Sequence, residues 1–172
     1  MLRVTTAALI AIMSTTAASA EGIYIGYGFA SVGADEPGYK YNSINAIGMI
    51  GYEVNDYLSI EGELSMPISE DKLTIGSSTV DIGLEHIGAH AKLTLPTSGP
   101  IKPFARLGMI RGKAAATIGS TTVSVSDSAL SYGFGAEWEF SERSGLRLDY
   151  TMTELDDDTD ASVLALTSVY RF

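Results

Sequence analysis

Three groups of side chains in this sequence have types and spacings that could do chemistry. The first is the pair His86 and His90, the only two histidines of the chain. Four residues apart on a helix, they would share a face and could hold one metal ion. On a strand the same spacing puts them about 13 Å apart, too far for a single ion. The second group is Asp156, Asp158 and Asp160. Their one-three-five spacing is that of a calcium loop. Ala161 stands where such a loop needs glycine, however, and Thr167 where it needs a bidentate glutamate. A solvated acidic loop is the better expectation, with weak binding of divalent cations as the alternative. The third group is the set of charges interleaved with apolar residues: Glu61, Glu63, Lys92, Arg106, Glu137, Arg147 and Asp149. The chain has no Cys, which removes disulfides and thiolate metal sites. From these residues we expect no catalytic set, no cofactor and no metal centre.

The elements that must position those charges announce themselves by a period of two, the alternation of a strand. From Gly22 onward, Ile23, Ile25, Tyr27 and Phe29 share one face; Tyr24, Gly26 and Gly28 share the other. A second strand is expected over Ile44–Glu53. In Tyr57–Met66, Leu58, Ile60, Gly62, Leu64 and Met66 oppose Ser59, Glu61, Glu63 and Ser65. In Val80–Leu95, Ile87, Ala89, Ala91 and Leu93 oppose His86, Gly88, His90 and Lys92. Pro103–Ala114 sets Ala105, Leu107 and Met109 against Phe104, Arg106 and Gly108. Asp127–Phe140 sets Leu130, Tyr132, Phe134, Ala136, Trp138 and Phe140 against Ser131, Gly133, Gly135, Glu137 and Glu139. Gly145–Leu155 sets Leu146, Leu148, Tyr150 and Met152 against Arg147, Asp149, Thr151 and Thr153. In the final stretch, Ser162–Phe172, Leu164, Leu166, Tyr170 and Phe172 alternate with positions that include Thr167 and Arg171.

This gives eight strands, and the connections between them alternate in length. Ser31–Ser43 and Pro67–Thr79 read as long polar connections, and the Ser/Thr-rich Thr117–Ser126 as the tips of a long hairpin or a mobile loop on the same side. Asn55-Asp56, Pro96–Pro100 and Ser141–Ser144 read as short turns. Long loops on one side and short turns on the other suit a barrel with extracellular loops and periplasmic turns.

The first twenty residues read differently. Arg3 precedes a mostly apolar Val4–Met13, and Ala18-Ser19-Ala20 is a small-residue cleavage site just before Glu21. That order predicts a signal peptide over 1–20 and a mature domain over 21–172. The formal net charge of -10 argues against nucleic acid as a partner. A hydrophobic content of 45% and a mean hydropathy of +0.16 argue against disorder. No later run is long and apolar enough for a membrane helix.

Alternation alone does not separate a membrane barrel from a soluble one, because both have one apolar face. The other face decides. A soluble exterior would be rich in Lys, Glu and Thr. Here the polar face mixes small residues (Gly26, Gly28, Gly88, Gly108, Gly133, Gly135) with opposite charges, which suits a narrow, crowded interior. The apolar face carries Tyr52, Tyr57, Trp138, Phe140, Tyr170 and Phe172 near strand ends, as an interfacial girdle at the periplasmic side. The expected fold is therefore all-β: a closed, antiparallel, eight-stranded, up-and-down transmembrane β-barrel. Its lumen would hold a charge network of Glu61, Glu63, His86, His90, Lys92, Arg106, Glu137, Arg147 and Asp149. An eight-stranded interior is only wide enough for side chains to fill, so mutual pairing is expected.

Several motifs carry a family resemblance. They are Gly-Ile-Tyr-Ile-Gly-Tyr-Gly at 22–28, Gly-Tyr-Glu-Val-Asn-Asp-Tyr-Leu-Ser-Ile-Glu-Gly at 51–62, Lys-Pro-Phe-Ala-Arg-Leu-Gly at 102–108, Tyr-Gly-Phe-Gly-Ala-Glu-Trp at 132–138 and the Tyr-Arg-Phe end. With these the chain resembles the small eight-stranded outer-membrane proteins of the OmpA/OmpX type, the surface-antigen barrels. The resemblance implies an outer-membrane location, a lipid and lipopolysaccharide environment, and assembly machinery that reads the last strand through Tyr170 and Phe172. It also implies roles in envelope integrity, adhesion or surface antigenicity, with a host or surface ligand on polar extracellular loops. Unlike OmpA, the chain is expected to carry no peptidoglycan-binding domain after the barrel. Lipid A deacylases are barrels of similar size with a His-x-Ser element. His86-Ile87-Gly88 and His90-Ala91-Lys92 both lack that serine, so an enzyme is not expected. The alternative to a structural and interaction role is a narrow, porin-like ion channel through the charged lumen.

Overall fold

The computed structural model describes residues 22–36, 39–69, 71–75, 78–118, 121–154 and 160–172. The segment read as a signal peptide lies outside them. Nine stretches of strand follow one another: β1 (Ile23–Glu36), β2 (Tyr39–Glu53), β3 (Leu58–Ser69), β4 (Asp71–Ile75), β5 (Ser78–Thr94), β6 (Ile101–Ile118), β7 (Thr121–Glu139), β8 (Ser144–Glu154) and β9 (Asp160–Arg171). All pairings are antiparallel, and β3 and β4 are successive parts of one wall position, since both pair with β5. The wall therefore has eight positions. The first and last strands close it, from Tyr24↔Arg171 to Asp35↔Asp160. Closure gives every wall strand a neighbour on both sides, the condition for strands in a bilayer, where no water can satisfy a backbone group.

One end of the barrel is held by tight turns built from side-chain chemistry. Asn55 Oδ1 accepts from the backbone N–H groups of Tyr57 and Leu58, both at 2.9 Å. Ser141 Oγ accepts from the Ser144 N–H at 2.9 Å, and the Thr97 hydroxyl donates to the Ile101 carbonyl at 2.7 Å. Such local bonds are why Asn, Ser and Thr favour turns. Phe172 N–H donates to the Ile23 carbonyl at 3.2 Å, so both ends of the described chain meet at this same turn end.

The opposite end corrects the expected long connections. β1 runs on to Glu36 and β2 starts at Tyr39, inside the stretch expected as a Ser31–Ser43 loop. Pro67–Thr79 contains the end of β3, all of β4 and the start of β5. β6 and β7 stay paired through Ile118↔Thr121, so Thr117–Ile118 and Thr121–Ser126 form the upper part of a long hairpin, one of the two readings expected of that stretch. The physical reason is that ladder bonds need no apolar side chain. Beyond the membrane both faces of a strand are wetted, so Ser, Thr and Val alternate there without a greasy side.

Among the described residues the wall is irregular at two neighbouring places. Pairing of β2 with β3 shifts register between Ile44 and Asn45, leaving Ile68 as the extra residue beside Pro67. Proline cannot donate to a ladder and belongs at such a bulge. Pairing of β3 with β5 ends at Ser65↔His86 and resumes with β4 at Asp71↔Ile82. Across that break the Asn45 amide donates to the Leu84 carbonyl at 2.6 Å and to Ser65 Oγ at 2.8 Å.

Polarity is inverted relative to a water-soluble protein. Phe29, Ile60, Met109 and Phe134 are about 60% exposed on the outside, while Arg147, Glu61 and Glu137 are within 2% of full burial. The expected face assignments hold on every strand. Part of the interior is nonetheless apolar: Ala30, Val32, Ile47, Val163 and Ala165 pack together with Leu84. A second group, Tyr24, Met49 and Val169, is also buried inside. Gly51 is where close approach demands glycine, because a Cβ there would fall within 2.1–2.5 Å of the Tyr24 ring and hydroxyl.

Candidate functional site

The expected lumen residues all face inward and are buried. They come together because strands as far as four positions apart in the eight-position wall project side chains across a narrow interior. Arg147 on β8 spans it to Glu61 on β3, with Nη1 to Oε1 at 2.6 Å and Nη2 to Oε2 at 3.1 Å. The Tyr24 hydroxyl on β1 also donates to Glu61. Lys92 Nζ lies 3.5 Å from Glu61 and 3.9 Å from Glu137, above the rings of Tyr24 (4.7 Å) and Phe104 (5.6 Å). The Arg147 guanidinium lies 4.3 Å from the Phe104 ring centre. Charge-assisted bidentate bonds and cation–π contacts are the interactions that compensate desolvated charges.

A second cluster is built around Glu63. Arg106 Nη2 donates to its Oε2 at 2.6 Å, and His86 Nε2 is 3.0 Å from its Oε1. Asp149 links the two clusters, 3.3 Å from Arg106 Nη1 and 3.3 Å from Arg147 Nε. His86 and His90 both face the lumen, as expected of alternate positions on one strand. Both flank Glu63, His90 through Nδ1 at 3.9 Å.

Ser131, His90 and Glu63 line up in the order of a serine-hydrolase triad. His90 Nε2 is 2.9 Å from Ser131 Oγ. The resemblance stops there. Glu63 is committed to Arg106, the His90 Nδ1 contact is long, and Ser131 is 0% exposed. A nucleophile needs a reacting atom within reach of it, and Arg106 Nη2 stands 3.4 Å from the same His90 Nε2.

A third cluster sits at the turn end. Arg171 on β9 reaches Glu53 on β2 at 3.0 Å, and Glu137 and Glu139 on β7 at 2.6 and 3.2 Å. A cavity of about 400 Å³ opens here, with Tyr57, Lys102 and Arg171 at its rim and Ser59, Lys92 and Phe104 among its buried lining. Sequence reasoning did not place Tyr24, Ser131, Glu53, Glu139 or Arg171 in the network. Their inward parity was available, and Gly51 opposite Tyr24 was the one further signal. Tyr170 and Phe172 stack edge to face at 5.4 Å between ring centres on the outer side. The acidic stretch Asp156–Asp160 lies outside the described residues except for the backbone of Asp160.

A closed wall, greasy outside and ion-paired inside, defines a small integral outer-membrane β-barrel. The sequence matches the outer membrane protein beta-barrel domain over residues 4–172, and the chain belongs to that family. None of the curated proteins matches it. Among solved structures it is similar to Ail, the attachment invasion locus protein of Yersinia pestis, at 22% identity and a TM-score of 0.67, covering 88% of this chain and 99% of that one. Neisserial surface protein A is similar at 18% identity and a TM-score of 0.75, covering 88% and 98%. OprG of Pseudomonas aeruginosa is similar at 12% identity and a TM-score of 0.66, covering 88% and 96%. At these identities the likeness is one of fold. The protein is embedded in the lipid of the cell outer membrane.

Proposed function

We propose that this barrel is a non-catalytic structural and surface-interaction protein, plugged through its lumen and binding a partner outside the cell. The observation that carries the reading is the arm formed by the upper parts of β5, β6 and β7. β6 and β7 pair from Ile101↔Trp138 to Ile118↔Thr121, whereas the described pairing of β7 with β8 ends at Ser131↔Thr153. Above Ser131, among the described residues, β7 has no partner on its β8 side. A strand edge displayed outside the membrane is a template for a partner's strand. Ail has been solved with the heparin analogue sucrose octasulfate, which supports an outer surface that takes ligands in barrels of this shape. The charge network supports the plug, because Arg147–Glu61 and Arg106–Glu63 cross the section an ion would need.

The channel reading competes with the plug, and planar-bilayer conductance tests it. The folded protein is expected to give no steady, single-sized channels; such channels would turn the proposal into a pore. Cells displaying the barrel with the arm shortened to Ala114 and Ser126 should lose surface binding while keeping the folded wall. Equal binding by both forms would sink the interaction half.

A further inference from the structure

We infer that the cavity at the turn end of the lumen is a binding site for a zwitterionic solute of about dipeptide size, its carboxylate on Lys92 and its ammonium at Asp56. The cavity holds about 400 Å³ and opens among the turn residues Asn55, Asp56, Pro96 and Thr97. That volume is within the range of small-molecule sites. The binding chemistry stands on these residues alone. The compartment that supplies the solute, the periplasm, rests on the orientation proposed above, with the arm on the outer side.

Lys92 is the residue that asks for a ligand. Its side chain is only 4% exposed, and what it exposes lines the cavity. Its ion-pair partners Glu61 and Glu137 stand 3.5 and 3.9 Å away. A charge-assisted N–H···O bond is about 2.7–2.9 Å long, and Glu61 is already taken by Arg147 at 2.6 and 3.1 Å. The other neighbours of the ammonium are the ring faces of Tyr24 and Phe104. It therefore keeps donors for an acceptor in the cavity. Arg171, on the same lining, has a buried Nη1 with no hydrogen-bond partner among the described residues. A carboxylate has lone pairs for both. The whole lining carries three cations and four carboxylates, so an anion alone gains little from it. At the mouth, Asp56 is exposed and has no cation against it among the described residues, whereas Glu53, Glu137 and Glu139 are held by Arg171. A ligand with both signs is matched at both ends. Asp56 is three positions from Ser59, the cross-strand partner of Lys92, which separates the ends by about 10 Å. An extended dipeptide of about 7 Å, hydrogen-bonded at each terminus, spans that gap.

The test uses the full chain folded in dodecyl maltoside micelles, titrated with dialanine while the lysine side-chain NMR signals are followed. Dialanine should move the Lys92 signal saturably and leave that of Lys113, in the arm, where it was. A Lys92 signal that does not move overturns the site. The C-terminal amide of dialanine, its N-acetyl form and acetate should each bind about tenfold or more weakly. Equal binding of the amide removes Lys92 as the carboxylate seat. Equal binding of the N-acetyl form or of acetate makes the cavity a plain anion site and overturns the zwitterion. Lys92→Met should lose about tenfold or more in affinity and Lys113→Gln nothing; equal binding by Lys92→Met overturns the inference. Asp56→Asn, at an exposed turn, should abolish the preference for dialanine over its N-acetyl form, and a preference that survives overturns the ammonium seat. A heat-dependent gel shift shows that each variant is folded, and the Asp56 variant and the native Lys92 signal decide the matter without Lys92→Met. An epitope placed between Ile118 and Thr121 and read on intact cells checks the orientation; silence there overturns the periplasmic source and leaves the micelle result standing.

Discussion

At the scale of single residues, the interior is a set of charges that are tolerable only together. Arg147 and Glu61 are both fully desolvated, so removing one leaves the other uncompensated. Arg147→Ala should destabilise the folded barrel by about 3–5 kcal/mol, read as a lowered urea midpoint in lipid vesicles. Replacing Arg147 by Met and Glu61 by Leu together should recover part of that loss, because no orphaned charge remains on Glu61. Gly51→Val should cost about 1–3 kcal/mol by overpacking the Tyr24 ring, in the same assay. The Ser131–His90–Glu63 alignment makes its own prediction. A fluorophosphonate probe should leave Ser131 unlabelled in the folded barrel, since that residue is fully buried; labelling there would reopen the enzymatic reading.

At the scale of elements, the two ends of each strand obey different rules. Ala105 lies at the middle of the lipid-facing run on β6, between Ile101 and Met109. Ala105→Arg should cost about 2–4 kcal/mol, as a charge at the bilayer midplane does. Ser126→Arg, in the arm, should change stability by less than about 0.5 kcal/mol. Both are read by denaturant titration in vesicles. This contrast also explains what the sequence disclosed. Where lipid lies on one side and the lumen on the other, period two is strict, and the faces of Leu58–Met66 and Leu130–Phe140 could be assigned residue by residue. Beyond the membrane the constraint disappears, so Tyr39–Ser43 and Asp71–Ile75 read as connections although both are strand. The lumen charges were visible as a set, but their partners were not. Glu61 meets Arg147 on β8, not a neighbour in sequence, and only barrel curvature decides such pairs. The apolar cluster around Ile47 and Val163 hid for the opposite reason, since inward Val and Ile carry no sign of which face they fill.

At the scale of the whole molecule, stability comes from a ring that has no first or last strand once it is shut. The intact barrel is expected to resist detergent and to migrate differently on a gel before and after boiling. Variants that keep the wall should keep that shift. The terminal strand has a second role in the proposed assembly signal, Tyr170 and Phe172, which lies on the outer surface at the rim. Gly22 and Phe172 end up beside each other, through the bond from Phe172 to Ile23. A circularly permuted gene, with a short linker bridging those two residues and new ends opened at Gly99 in the Pro96–Pro100 turn, would preserve every ladder while moving the aromatic tail into the interior of the polypeptide. Such a rearranged chain should fold unaided in micelles yet fail to be delivered in living cells, separating what thermodynamics requires of this wall from the sorting role proposed for Tyr170 and Phe172.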